Sequence, residues 1–425
     1  MTIKRYSWKN GPDIIQQHSV AKHTVLKKYL AAYFKTLVSN PRQENFRVTL
    51  VDGFAGGGLY THANTRELVL GSPFICLDAV EEASIAVNIG RIKPVKLDVH
   101  YVFIEADRDA HQHLSKLLYE RGFGSRLGND IQLRHATFQS EMQTIVDDIH
   151  TRSPKNGRSI FVLDQYGYKD VPGPLIQQIF NKLPRAEVIL TFGVDSLLNF
   201  ASDSKSSRKL LDEIGLSGLL GGRSIEEIKE SERDWRLFVQ SGLYRGLVDR
   251  CGAQHYTPFF IRNNEGHGDY WLVHMSNHPR ARDVMTEVHW QNQNQFVHFG
   301  GAGLRMFQML GYDPDQDPLF RKQFELGFQF DNVARRASVD ALKEQLPRLI
   351  YARDEGVRFG ELFGITCNET PATEAIYRQS LQDLVAENII EIFSDDGSRR
   401  RSANQIKVDD WIRAPQQRDM FFVLR

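Results

Sequence analysis

An acid, a run of glycines and two further acids at the ends of apolar stretches are the residues best placed to do chemistry. Val51-Asp52-Gly53-Phe54-Ala55-Gly56-Gly57-Gly58 follows the apolar run Phe46 to Val51. It turns on glycines, which tolerate positive φ and close backbone approach. A strand ending in an acid and a glycine turn is how a doubly wound α/β domain opens a nucleotide pocket. The spacing departs from the dinucleotide fingerprint, because Gly56-x-Gly58 is followed by Thr61 where a third glycine would stand. Glu105 ends the run His100 to Ile104, where a carboxylate can accept two hydrogen bonds from a ribose diol. Its separation from the glycine loop is about twice the usual length. The alternative is an exposed acid in Glu105-Ala106-Asp107-Arg108-Asp109. Asp164-Gln165-Tyr166-Gly167 ends another apolar run and sets an acid beside an aromatic ring. The plainer reading of Asp164 is a turn acid capping the helix near Pro172.

These residues need elements to hold them. Helical spacing of Val20, Val25, Leu26, Leu30, Tyr33, Phe34 and Leu37 predicts an amphipathic helix or helix pair between about Pro12 and Val38. Lys27, Lys28 and Lys35 read as its solvated basic face. Gly71-Ser72-Pro73 opens a helix through Val80, with Ser72 as cap and Pro73 in the first turn. Further strands are predicted at Ile131 to Phe138, Ser159 to Leu163 and Glu187 to Phe192, separated by helical patterns such as Asp109 to Tyr119 and Ser140 to His150. Alternation of this kind means right-handed βαβ units and a parallel sheet, with ligands beyond the strands' carboxyl ends. Thr137, in His135-Ala136-Thr137-Phe138, joins the candidate cofactor residues by that position. Leu197 to about Val248 is charged and helical and reads as an insertion, about 197–250. Tyr256 to Arg262 and Tyr270 to Met275 then form a hairpin around a polar glycine turn.

From about Asp331 the character changes. Val339 to Tyr351, Phe359 to Phe363 and Ala372 to Glu387 predict helices. Ile389 to Phe393 and Gln405 to Val408 predict strands that bracket a basic tip, Arg399-Arg400-Arg401. This is the pattern of a winged helix-turn-helix, whose arginines either contact phosphate or form a solvated turn. The domains are expected at 1–335 and 336–425.

The bulk numbers restrict the partners. The 425 residues carry 53 basic and 53 acidic side chains, so any nucleic-acid face must be a local patch. Cys76, Cys251 and Cys367 neither pair evenly nor show ligand spacing. They fit buried apolar roles in a reducing cytoplasm and give no disulfide framework. Among His255, His267, His274, His278, His289 and His298 only His274/His278 has ligand spacing, and no metal is expected. With no long uncharged apolar run and a polar, basic Met1 to Asn10, a soluble cytoplasmic protein without membrane contact is expected.

The Asp52-x-Phe54-Ala55-Gly56-x-Gly58 form resembles motif I of S-adenosylmethionine (SAM)-dependent methyltransferases. Asp164-Gln165-Tyr166-Gly167 is similar to the Asp/Asn-Pro-Pro-aromatic motif of those that methylate an exocyclic amino group of a base. Together with His18-x-x-x-Lys22-His23-x-x-Leu26 and Gly71-Ser72-Pro73, these segments resemble the three-Cys-motif partner proteins (TcmP) of bacteria and phage. That family carries Asp-Pro-Phe/Tyr-Gly at the last motif, so Gln165 departs from it, and a winged helix is often appended to it. It looks in turn like the large-subunit rRNA adenine methyltransferases, in which a Lys-His pair helps bind the cofactor. The resemblance implies an α/β, Rossmann-like class I SAM methyltransferase sheet with a helical insertion and a C-terminal winged helix-turn-helix domain. It implies SAM around Lys22, His23, Asp52, Gly53, Phe54, Ala55, Gly56, Gly58, Glu105, Thr137 and Asp164. Asp164 and Tyr166 would hold the target nitrogen. Gln165, Gly167, Arg399, Arg400 and Arg401 would meet a nucleic-acid substrate, DNA or RNA. The partner would be a three-cysteine, radical-SAM-like protein, and this chain's dispersed cysteines are not that motif. The rival reading keeps the sheet without the chemistry, as an inactive module binding nucleic acid or a partner. A nuclease would need metal-binding carboxylate clusters, and none has persuasive spacing.

Overall fold

The computed structural model describes residues 8–9, 11–155, 157–165, 170–193, 226–227, 244–261, 270–292, 302–304 and 330–415. The chain divides into two compact units. One takes in Met1–His298 and Gly311–Gln323, the other Phe299–Leu310 and Phe324–Arg425.

In the first unit, β1 (Asp13–Ile15) and α1 (Gln17–Leu37) precede β2 (Asn45–Asp52), β3 (Leu59–His62), β4 (Leu68–Leu70) and α2 (Ser72–Ala86). Then come β5 (Lys96–Glu105), α3 (Arg108–Glu120), β6 (Ile131–His135), α4 (Phe138–Arg152), β7 (Ser159–Leu163), α5 (Gly173–Lys182) and β8 (Ala186–Phe192). β9 (His255–Ile261), β10 (Tyr270–Ser276) and α6 (Pro279–Asn292) complete the described elements. The fold is mixed α/β, and its central sheet runs in the order β6-β5-β2-β7-β8-β10-β9. Six of these strands run in one direction, and β10, placed between β8 and β9, runs antiparallel to both. Every residue of β7 and β8 is buried, which is why both read as largely apolar runs, as strands covered on both faces do, with Ser159, Glu187 and Thr191 as the buried polar positions. The chain builds outward from β2 to β5 and β6 on one side, then returns to β7 and β8 on the other. The topological switch therefore lies between β2 and β7, where such sheets bind ligands.

Several sequence expectations need correction. Gln17–Leu37 contains neither Gly nor Pro, so α1 is one helix rather than a pair, with β1 ahead of it. The stretch after the glycine loop holds β3 and β4, which join β1 in a three-stranded sheet. β6 stops at His135: Thr137 accepts from the Ser140 amide (3.2 Å), caps α4 and puts Phe138 in the helix. The cap of α2 is Gly71, so Ser72 is already helical. Of the expected insertion, 194–225 and 228–243 lie outside the described residues, while 244–251 is helical.

The second unit holds α7 (Asn332–Tyr351), β11 (Val357–Arg358), α8 (Phe359–Thr366), α9 (Glu374–Ala386), β12 (Glu391–Phe393), β13 (Arg399–Arg400) and β14 (Trp411–Arg413). α7 begins a few residues before 336. The strands pair antiparallel in the order β11-β14-β12-β13. The strand expected at Gln405 to Val408 is not there. Ser402 caps a single 3₁₀ turn, Ala403–Gln405, and the strand forms later, at β14. The hairpin tip is also different, since Arg399 and Arg400 lie in β13 and the turn itself carries Asp395 and Asp396.

Candidate functional site

Register brings three acids to the carboxyl end of the sheet. Asp52, the last residue of β2, stands opposite Phe103 of β5 and Val162 of β7. Glu105 and Asp164 each lie two residues further along those neighbouring strands. The glycine loop is stitched to both: Gly53 N–H donates to the Val162 carbonyl and Ala55 N–H to the Ile104 carbonyl, each at 2.9 Å. Gly56 and Gly58 adopt φ of 61° and 77°, the left-handed region that glycine enters without strain. Glu105 accepts from the Gly56 amide (2.8 Å) through Oε2 and from the Asp107 amide (2.7 Å) through Oε1, so it holds the loop's shape.

The three carboxyls differ in environment. Asp52 is buried, and burial pushes its pKa up to about 7, with the charges of Asp164 and Glu105 adding and the Ser72 hydroxyl and Phe54 amide opposing. Glu105 is also lifted by burial, against the amides of Asp107, Gly56 and Ala106. For Asp164 burial acts upward, but the Lys22 ammonium, the Thr191 hydroxyl and His23 outweigh it and hold the carboxyl below its ordinary value. Lys22 Nζ donates to both Asp164 oxygens, at 2.6 and 2.7 Å. Next to Lys22 on α1, His23 is pushed down to about 4 by burial, with Asp164 opposing and Lys22 adding. Three buried atoms here have no hydrogen-bond partner among the described residues: His23 Nδ1, Asp52 Oδ2 and Gln165 Nε2. Gln165 turns inward, its Oε1 accepting from the Val171 amide at 3.0 Å. Tyr166 and Gly167 lie outside the described residues.

The sequence did not announce Trp8 or Tyr60. A Cβ added at Gly57 would lie 2.1 Å from Trp8 Nε1, and one at Gly56 would lie 2.2 Å from the Tyr60 hydroxyl. The two rings meet edge to face at 5.5 Å, and Trp8 Nε1 donates to the Leu59 carbonyl at 3.2 Å. Both aromatics therefore pack on the glycine loop. Thr191, which holds Asp164, was hidden inside an apolar strand. Lys27 bonds Glu82 (2.7 Å) and Lys28 bonds Asn292, so part of the expected basic face is tied to neighbouring helices.

In the second unit Arg399 pairs with Glu391 at 3.0 Å. Arg400 is held by both oxygens of the buried Asp410, Nη2 to Oδ1 at 2.9 Å. Arg401 is exposed. Arg378 of α9 is occupied by Glu374 and the Ile406 carbonyl. Between residues 332 and 415 there are 12 basic and 14 acidic side chains, so this unit carries no excess of positive charge.

Residues 311–397 match the family of GMT-like wHTH domains, which agrees with a winged helix-turn-helix in this part of the chain. No curated protein matches the chain. Solved structures that resemble it include protein LPL1258 of Legionella pneumophila, family DUF519, at 11% identity, covering 64% of this chain and 91% of that one with a TM-score of 0.36. The bifunctional kinase-methyltransferase WbdD also matches at 11% identity, over 63% of this chain and 45% of that one, with a TM-score of 0.33. A human methyltransferase 10 domain containing protein matches at 9% identity, over 60% and 83%, with a TM-score of 0.25.

The histidine-rich region resolves into separate environments. His274 Nε2 lies 3.0 Å from Glu187 Oε2 and from the Tyr29 hydroxyl, all three buried. His278 Nδ1 accepts from the Arg280 amide. His267 and His298 lie outside the described residues. Among the described residues no group of three or more His, Cys, Asp or Glu is arranged to hold a metal. No helix among them is long and apolar enough to cross a membrane, and all three cysteines are buried and outside any disulfide.

Proposed function

We propose that this protein is a SAM-dependent methyltransferase acting on an exocyclic amino group of a nucleic-acid base, in concert with a three-cysteine partner protein. The observation that carries the reading is the Lys22–Asp164 ion pair at the switch point, one strand from the Asp52 glycine loop. The residues present fit the cofactor. Asp52 Oδ2, His23 Nδ1 and Gln165 Nε2 are buried polar atoms without partners among the described residues, and such atoms cost about 1–3 kcal/mol each unless something bonds them. Asp52 suits the cofactor's ammonium, and Glu105, already tied to the loop, suits its ribose diol. Bound there, the cofactor supplies an electrophilic methyl group.

The chain's own residues orient the acceptor. Asp164, kept ionised by Lys22, accepts a hydrogen bond from the amino group and fixes its lone pair toward the methyl, a positioning effect. Its lowered pKa makes it a weak base. The proton that leaves the nitrogen after transfer therefore passes to water rather than resting on Asp164. Tyr166 would stack on the base, and Arg401 with its neighbours in the winged helix would position the strand through phosphates. Asp164→Ala is expected to reduce methyl transfer by at least about a hundredfold while leaving SAM affinity within a few-fold. Unchanged turnover would sink the assignment.

One second reading has observations of its own: an inactive module that recruits nucleic acid or a partner. Gln165 stands where a proline is expected and is turned inward, its Oε1 accepting from the Val171 amide. Calorimetric silence toward both SAM and its demethylated product would favour this reading.

A further inference from the structure

At the opposite end of the sheet, where β7 and β8 begin and the reversed β10 finishes, there is a cavity of about 330 Å³. Its position follows from the topology. Arg158 directly precedes β7, Arg185 and Glu187 flank the start of β8, and Asn277 follows β10. None of these residues belongs to the strand-end site.

The wall is divided by chemistry. Arg158, Arg185 and Arg280 bring three guanidinium groups, the last two on exposed residues and Arg280 also bonded to Asp283 at 2.8 Å. Inside, acceptors dominate. Glu187 is 8% exposed, and its bonds from Tyr29 and His274 both fall on Oε2. Asn277 Oδ1 and the hydroxyl of Tyr33, which is only 3% exposed, are buried without a hydrogen-bond partner among the described residues. Leu37 and Val284 supply apolar surface between the two zones. Burial and the Glu187 charge push the Tyr33 hydroxyl far up, against Arg158, so it remains a neutral donor and acceptor.

We propose that this cavity binds a nucleoside monophosphate whose base carries an amino group. The phosphate would meet the outer guanidiniums, which bind such oxyanions in charge-assisted pairs. The base's N–H groups would meet Glu187 Oε1, Asn277 Oδ1 and the Tyr33 hydroxyl, acceptors without a hydrogen-bond partner among the described residues. The volume lies at the small end of ligand sites, which run from about 300 Å³ upward, and favours one nucleotide over a dinucleotide. The proposal does not depend on the methyltransferase reading.

Titration calorimetry of the full chain with GMP, UMP and inorganic phosphate tests it. GMP is expected to bind one to one. UMP, which lacks the amino group, and phosphate alone should each bind at least about tenfold more weakly. Arg158→Met and Arg280→Met should each weaken GMP about tenfold, the loss of one charge-assisted contact. Tyr33→Phe, which removes one oxygen and keeps the packing, should weaken it several-fold. Asp164→Ala should leave GMP binding unchanged, which separates this site from the strand-end site. The proposal fails if GMP does not bind, if UMP binds as tightly, or if thermally intact arginine variants bind as wild type does.

Discussion

The polar residues at the carboxyl end of the sheet and three arginines of the winged-helix unit are held in opposite ways. At the strand ends, Asp52 and Gln165 are buried and His23 is half-buried, each with an atom that no described residue bonds, and neighbouring acids are pushed apart in pKa. In the winged helix, Arg399, Arg400 and Arg378 are matched to Glu391, Asp410 and Glu374. Buried unpaired polar atoms oppose folding, whereas matched pairs of this kind shape a scaffold. In the proposed reading the chemistry belongs to the first unit; in the second, Ser338 Oγ and Arg413 Nε are the buried side-chain atoms without a hydrogen-bond partner among the described residues. What the second unit offers a ligand is shape and a few exposed charges, not a basic field.

Breaking the glycine loop should have the largest effect. At Gly58 a side chain would enter the left-handed region and bring a Cβ to 2.7 Å from Leu114 Cδ1 and 2.9 Å from Phe74 Cε2. Gly58→Ala is expected to destabilise the first unit by about 1–3 kcal/mol and to abolish cofactor binding, read by urea unfolding and calorimetry.

The two shifted groups on either side of Asp164 sharpen the comparison next, through pH. Asp52 has its folded pKa raised from 3.8 to about 7, so its contribution is full below pH 3.8 and is lost as pH rises toward 7. His23 has its folded pKa lowered from 6.5 to about 4, so its contribution is full above pH 6.5 and is lost as pH falls toward 4. Over the shared window the two slopes oppose. Asp52→Asn should leave a stability that climbs from pH 4 to 6.5, and His23→Asn one that declines from pH 4 to 7. Urea titrations at pH 4.5, 5.5 and 7 read both, and parallel profiles for wild type and Asp52→Asn would contradict the assigned environments.

Two neighbouring arginines should part company with the smallest effects. Arg400→Ala strips the partner from buried Asp410 and should lower the melting temperature of the winged-helix unit. Arg401→Ala should leave melting unchanged and reduce the salt slope of nucleic-acid binding by about one. Equal melting of the two variants would overturn the division between pairing and contact.

Much of this architecture is legible in the chain because its strands are buried on both faces. Ser159 to Leu163 and the run to Phe192 are largely apolar stretches, and the polar residues that follow them mark the site. The helices of the winged helix are legible through their period. Strands of three residues or fewer, such as β1, β4 and β14, are too short to carry a period, so they were missed or misplaced. The wing's arginines look like a tip in sequence because Asp410, the partner of Arg400, lies ten residues further on. The site shows the same limit more sharply. Asp52, Glu105 and Asp164 each end an apolar run, yet Lys22 reaches Asp164 across 142 positions, and Trp8 and Tyr60 cover the loop from segments with no motif. Long-range pairing leaves no local trace in composition or spacing.

The central claim is that the switch-point acids and the glycine loop form a cofactor site. Titration calorimetry with SAM and with S-adenosylhomocysteine, on wild type and on Asp52→Ala, tests it most directly. The account predicts one-to-one binding of both compounds to wild type and at least about tenfold weaker SAM binding to a folded Asp52→Ala. Folded wild-type protein that takes up neither compound, or an Asp52→Ala variant that binds SAM as wild type does, would contradict it.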